Sequence, residues 1–169
     1  MKPDLFWIPG PWRGRLAVSA RPRGGDWLED EARAWRQAGV DLVVSLLEDD
    51  EASGLGLMGE SRAVEESGMA FLSFPIADRG VPDSTSAAAA LIAGVVSALE
   101  EGRNVAVHCR QGIGRSGLIA AGVLMTTGAA PDQAMQAVSS SRGVTVPETA
   151  DQRAWAHQLR PLLAPVAGR

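Results

Sequence analysis

One cysteine, one lysine and two histidines are the whole supply of those side chains in 169 residues. A single cysteine excludes an intramolecular disulfide and points to a reducing compartment, so the thiol needs an account of its own. Two histidines without a cysteine pair argue against a zinc site. The acidic run Glu48-Asp49-Asp50-Glu51 lacks the Gly-spaced pattern of a calcium loop and reads as a solvated loop. Long apolar runs are missing too. The longest, Ala87 to Leu99, has 13 residues and includes Gly94 and Ser97, short of the roughly 20 that span a bilayer. Neither end carries the charged start, apolar stretch and cleavage site of a secretory signal. Basic charge is not in excess: 16 cations face 20 acidic groups, for a net charge of −4 and a pI near 5.2. That balance argues against a bulk nucleic-acid binder or a polybasic membrane-surface protein. The expectation is a soluble cytoplasmic protein with neither nucleic acid nor membrane as partner. Fifteen of the 16 cations are arginine, and their local clusters allow a small basic pocket.

What is present suffices for one domain. The chain is 17.7 kDa with 46% hydrophobic residues, enough for a proper core. Strand and helix signals alternate, the pattern of an α/β layer structure. A strand at about Arg15–Ser19 precedes the turn-rich Ala20–Gly25. Asp26, with Glu29 three residues on, reads as a capping box for a helix whose Leu28, Ala32 and Trp35 share a face, with Gly39 as its stop. Val40–Leu47 reads as a buried strand and Glu48–Gly59 as a surface loop. A short helix at Glu60–Ser67 and a strand at Met69–Phe74 follow. The loop Pro75–Asp83 leads to a helix capped by Ser84 or Asp83, with Ala88, Leu91, Ile92, Val95, Val96 and Leu99 on its apolar face. Asn104–His108 is a strand, and the helix after it is apolar nearly all round, hence central. Two more helices are expected at about Pro131–Ser141 and Thr149–Leu163, with Ala164–Arg169 frayed. The five tryptophans read as core or domain-edge packing, His157 as structural, and Arg13, Arg15, Arg21 and Arg23 as a surface patch.

The informative segment is His108-Cys109-Arg110-Gln111-Gly112-Ile113-Gly114-Arg115-Ser116-Gly117. A tight loop between a strand and a helix N-terminus turns successive backbone N–H groups inward, and the helix dipole reinforces this anion-binding nest. Gly112 and Gly114 allow backbone paths that β-carbons would obstruct. The planar fork of Arg115 can fold over a bound anion with two charge-assisted hydrogen bonds. Cys109 at the base of the loop meets that positive potential, which favours the thiolate. A thiolate beneath an oxyanion cradle is a nucleophile aimed at phosphorus. The alternative, a small core hydrophobe at a strand end, does not explain why strand, cysteine, glycines, arginine and helix coincide.

This segment resembles the His-Cys-x-x-x-x-x-Arg-Ser/Thr signature of the protein tyrosine phosphatase superfamily. The surrounding chain, from about Arg15 to Trp155, is similar to its small dual-specificity, cyclin-dependent-kinase-associated phosphatase-like branch. The resemblance implies a central, mostly parallel sheet of four to five strands flanked by helices. It also implies a single phosphatase domain over 1–169 with a core at about 15–163. The implied chemistry proceeds through a phosphocysteine intermediate, with no metal and no cofactor, on a phosphorylated protein substrate. The loop residues Arg110, Gln111, Gly112, Ile113, Gly114 and Arg115 would bind phosphate, with Cys109 as nucleophile.

The leaving group needs a general acid on a loop that can close over the pocket. Asp78, in Phe74-Pro75-Ile76-Ala77-Asp78-Arg79-Gly80-Val81-Pro82, stands 31 residues before Cys109, close to the spacing usual in that branch. Asp83 competes, but a helix N-cap accounts for it without chemistry. By resemblance His108 supports the loop, Ser116 donates to the cysteine sulfur, and Gln152 orients the hydrolytic water. Each also has a purely structural reading, and Arg79 could touch substrate or face solvent. A phosphoinositide or RNA 5′-end phosphatase on the same loop stays open, although the loop carries no lysine. So does a non-catalytic phosphopeptide-binding module, although cysteine, arginine and acid are all present. A sulfurtransferase is disfavoured by the Arg115-Ser116-Gly117 ending. Oligomeric state is not legible.

Overall fold

The computed structural model describes residues 3–164, so the tail expected to fray beyond Ala164 lies outside the described residues. Five short strands form one sheet: β1 (Leu5–Ile8), β2 (Leu16–Ser19), β3 (Leu42–Ser45), β4 (Ala70–Ser73) and β5 (Val105–His108). Their spatial order is β1-β2-β5-β3-β4. β2, β5, β3 and β4 run parallel, and only β1 is antiparallel, with Leu5 opposite Ser19. The expected fold class is therefore the observed one. β1 lies N-terminal of the expected core. Its four residues LFWI are too few to show a period.

Side chains alternate across the sheet. Leu16, Val18, Leu42, Val44, Val105 and Val107 face one hydrophobic cluster, while Val43 and Ala106 face another. The first cluster is covered by α4 (Thr85–Glu100), α5 (Arg115–Met125), α6 (Pro131–Arg142) and α7 (Ala150–Leu159). The second is covered by α1 (Leu28–Gln37) and α3 (Glu60–Glu66), with the short α2 (Asp49–Gly54) at its margin. Every residue of α5 is buried, as its apolar circumference demands. It packs against α4, α6, α7, β2 and β5.

This winding decides where a site can form. The chain leaving β3 goes to the α2–α3 face, and the chain leaving β5 goes to the α5 face. These two strands are neighbours, so a crevice opens between their carboxyl ends. That is the switch point at which open α/β sheets hold ligands.

Four local expectations are corrected and one open alternative, the cap of α4, is decided. Asp26 forms no capping box with Glu29. Gly25, at φ 61° and bonded through its N–H to the Gly56 carbonyl, bends the chain into a 3-10 turn, and α1 begins at Leu28 without a side-chain cap. Glu48–Gly59 is not all loop: α2 starts at Asp49, with Glu48 and Glu51 closing a reciprocal capping box. Trp12, Trp35 and Trp155 are buried, but Trp27 is exposed, because it serves as a platform for the Arg23 guanidinium 4.3 Å above its ring. The arginine cluster is two groups, not one patch. Arg13 and Arg15 precede β2 at the sheet end remote from Cys109. Arg21 and Arg23 follow it, and the Arg21 N–H donates to the Arg110 carbonyl at 3.3 Å. Ser84, not Asp83, caps α4, accepting from the Ala87 N–H at 3.1 Å.

Candidate active site

The loop 109–114 runs from the end of β5 to the first residue of α5, over the crevice. Gly112 lies at φ 73°, and a β-carbon there would stand 2.6 Å from the Ser19 carbonyl carbon. Both the conformation and the close approach to β2 require glycine. Gly114 has an ordinary helical backbone at φ −75°. It supplies room instead, since a β-carbon would meet the Glu148 Oε1 at 2.5 Å.

Cys109 is buried, and its Sγ lies 3.2 Å from the Ser116 hydroxyl on the first turn of α5. His108 is fully buried behind it. Its Nε2 hydrogen-bonds to the buried Glu60 carboxylate on α3, its Nδ1 lies 3.3 Å from the Cys109 carbonyl, and its ring stands 5.7 Å from that of Trp35. The histidine therefore ties the backbone at Cys109 to α3.

Arg115 is only 2% exposed. Its Nη1 and Nη2 donate to the two oxygens of Glu51 at 2.6 and 3.0 Å. Nη1 also donates to the Ile76 carbonyl at 2.8 Å, and Nη2 to Asp78 Oδ1 at 3.1 Å. Burial works against the charge on Arg115. Its hydrogen bond with Glu51 and the negative charges of Cys109, Glu51 and Asp78 outweigh that cost and raise its pKa above the usual value. For Glu51, burial pushes the carboxyl up, while the Arg115 hydrogen bond, the Glu48 N–H and the charges of Arg115 and Arg110 hold it below the ordinary glutamate range. Glu51 belongs to the acidic run expected to be solvated. Its location on the signature arginine is the principal correction at the site. The head of the arginine fork is committed to Glu51, and Nη2 is shared with Asp78.

A cleft of about 120 Å³ opens above Cys109, lined by Asp78, Arg79, Arg110, Gln111, Arg115 and Glu148. Asp78 and the loop cysteine thus share one cavity. Ile113 lies outside it, packed on the edge of the main core. Arg79, at φ 61°, reaches Glu148 at 3.5 Å across the rim. Glu148 is a second carboxylate at the mouth that the sequence reading did not single out. Asp83 does not line the cleft.

Gln152 is fully buried rather than solvated. Its Oε1 accepts from the N–H groups of Glu148 and Thr149 at 3.1 and 3.3 Å, and its Nε2 donates to the Gly80 carbonyl at 3.0 Å. It joins the start of α7 to the loop bearing Asp78. One amide hydrogen remains, and the side chain lies against Gly114. His157 pairs with Asp132 at 3.1 Å, and neither lines the cleft. Among the described residues no three His, Cys, Asp or Glu side chains gather where they could hold a metal ion, and no helix is long and apolar enough to cross a membrane.

This sheet, with a cysteine loop at its switch point and an arginine at the head of the following helix, defines a cysteine-based phosphatase of the dual-specificity type. The chain belongs to the family described as "Tc-R-P: Polymorphic toxin system, DSP-PTPase phosphatase", whose pattern matches residues 18–129. It is 34% identical over 92 residues to human cyclin-dependent kinase inhibitor 3, a match covering 53% of this chain and 43% of that protein. The aligned part therefore spans less than half of that curated relative. Among solved structures, a kinase associated phosphatase (KAP) with its catalytic-site cysteine changed to serine superposes with a TM-score of 0.86 at 20% identity, covering 96% of this chain and 97% of that one. Tk-PTP in its active form gives 0.77 at 29% identity, covering 95% and 99%. PTPMT1 gives 0.74 at 19%, covering 92% and 94%.

Proposed function

We propose that the chain acts as one phosphatase domain, hydrolysing phosphotyrosine and also phosphoserine or phosphothreonine in proteins through a phosphocysteine intermediate, in a reducing compartment. The observation that carries this reading is the convergence on one 120 Å³ cleft of Cys109, Arg115 and Asp78. A phosphate dianion would enter with its non-bridging oxygens toward the loop N–H groups and the Nε–Nη2 edge of Arg115. It would take over the Nη2 donor that Asp78 now occupies, so that Asp78 is released toward the leaving oxygen. The Cys109 thiolate forms the S–P bond as the P–O bond breaks, and Asp78 gives its proton to the departing oxygen. A water oxygen then attacks phosphorus, its proton passes to the Asp78 carboxylate, and the S–P bond breaks to regenerate the thiolate. Ser116, 3.2 Å from the sulfur, stabilises the departing thiolate. Gln152, buried against Gly114 and outside the cleft lining, is the side chain we assign to that water, through the amide hydrogen not given to Gly80.

Turnover of para-nitrophenyl phosphate in EDTA tests the reaction class. Trapping with acid during turnover of a phosphotyrosyl peptide, followed by intact-mass measurement, should show phosphate on Cys109. Parallel assays on phosphotyrosyl and phosphothreonyl peptides, a phosphoinositide and a 5′-phosphorylated RNA separate the substrate classes. Preference for either of the last two would overturn the protein-substrate reading. Binding of phosphopeptide without turnover would favour a recognition module.

A further inference from the structure

Arg142 ends α6 and does not line the cleft, yet its guanidinium holds the signature loop from outside. Nε donates to the Gly112 carbonyl at 3.0 Å and Nη2 to the Gln111 carbonyl at 3.1 Å. Its position is fixed from two sides. Gly143, in the left-handed conformation at φ 85°, stops the helix beside it, and the guanidinium lies 4.1 Å over the Phe6 ring of β1. Among the described residues it pairs with no carboxylate, so the group is devoted to these two carbonyls. The next carbonyl back, that of Arg110, is held by the Arg21 N–H.

The peptide plane turns this into an argument about the cradle. In a trans peptide the carbonyl of one residue and the N–H of the next point in opposite directions. Anchoring the carbonyls of Arg110, Gln111 and Gly112 outward therefore aims the N–H groups of Gln111, Gly112 and Ile113 to the opposite side, as an anion nest requires. Without external donors to hold those carbonyls, a glycine-containing loop can rotate the planes at little cost. We propose that Arg142 is a positioning residue for the phosphate reaction, which presets the backbone donors of the cradle by clamping the loop carbonyls from outside. The proposal rests on the phosphatase reading above. Donors preset in this way act most on the spread charge of the transferring phosphoryl group, so their loss lowers kcat more than it raises KM.

Arg142→Met keeps an unbranched stem over Phe6 and removes both donors. Tungstate affinity by calorimetry and kcat and KM on para-nitrophenyl phosphate are measured beside a thermal melt. The expected result is a loss of about 10- to 100-fold in kcat/KM, carried mostly by kcat, with tungstate affinity also reduced in a folded protein. Arg142→Lys keeps the charge but cannot fork over two carbonyls, and should fall between Met and wild type. If Arg142→Met fails to fold, Phe6→Leu leaves the donors and removes their platform, and should lower kcat/KM by about two- to fivefold. Wild-type tungstate affinity and kcat in the variant that folds would overturn the proposal, as would a lowered melting temperature with both unchanged. If the wild type binds tungstate but turns nothing over, the phosphatase reading fails and the affinity comparison still decides. A wild type that does neither overturns both.

Discussion

Glu51 and Arg115 lie 64 residues apart in sequence and meet as a two-point ion pair across the crevice between β3 and β5. A buried guanidinium is costly to leave uncompensated, and Glu51 supplies the compensation through both of its oxygens. The acidic residue thereby sets the angle at which the arginine presents its remaining donors.

Glu51→Gln should therefore lower both stability and activity. Near neutral pH we expect about 1–3 kcal/mol less stability in urea and about 10- to 100-fold lower kcat/KM. The stability difference should depend on pH in one direction. The Glu51 carboxyl titrates lower in the folded chain than in the unfolded chain, so the unfolded state binds the proton first as pH falls. The wild-type advantage is full above the ordinary glutamate value of about 4.3 and shrinks as pH drops through the lower folded value. A gap that widened in acid would contradict the assignment.

Asp78→Asn should reduce kcat on aryl phosphates by about 10²–10⁴-fold. Asp83→Asn, outside the cleft, should leave kcat near wild type. Glu148→Gln tests the second rim carboxylate, whose partner is Arg79, and should alter KM without the same fall in kcat. If Glu148→Gln shows the larger kcat loss, the acid is Glu148.

Cys109→Ser should abolish turnover while keeping oxyanion binding, since the loop donors and Arg115 are untouched. Arg115→Lys should lose both, because a point charge replaces neither the fork on Glu51 nor the edge toward the anion. Calorimetry with tungstate on the two variants separates them.

Peroxide should inactivate the enzyme, with early recovery by external thiols and none after prolonged exposure. No second cysteine exists to trap the sulfenic acid. Phosphate or vanadate should protect, and intact-mass spectra should map the added oxygen or glutathione to Cys109. Full activity with Cys109 oxidised would remove the thiolate from the reaction.

What was legible in the sequence was local. Strand, cysteine, glycines, arginine and helix follow one another within 104–117, so the cradle could be read from neighbours in the chain. Asp78 is a candidate legible from its own loop. Glu51, Glu60 and Arg142 are not legible in this way, because each makes its contact with Arg115, His108 or the loop across 64, 48 or 30 residues of sequence. Nothing in an acidic run or a helix-ending arginine announces its partner. α2 is not legible because its six residues, DDEASG, offer only Ala52 to the second cluster and so carry no apolar period. Gln152 was given a solvated alternative because burial of an amide depends on acceptors and donors from Gly80 and Glu148 that only the folded chain brings near.

The wholly buried α5 gives the molecule an uneven resistance to opening. Arg115 and Ser116 belong to α5 and Cys109 contacts it through Ser116, so all three are fastened to a segment whose amides should be among the last to exchange with solvent. Glu51 and Asp78 ride on α2, which buries no residue, and on an exposed turn of chain, segments that can open singly. On warming, the partners of the arginine should detach while the cradle is still intact. Catalysis should then fade at a lower temperature than near-ultraviolet dichroism, and return at once on cooling, because nothing in the core has had to refold.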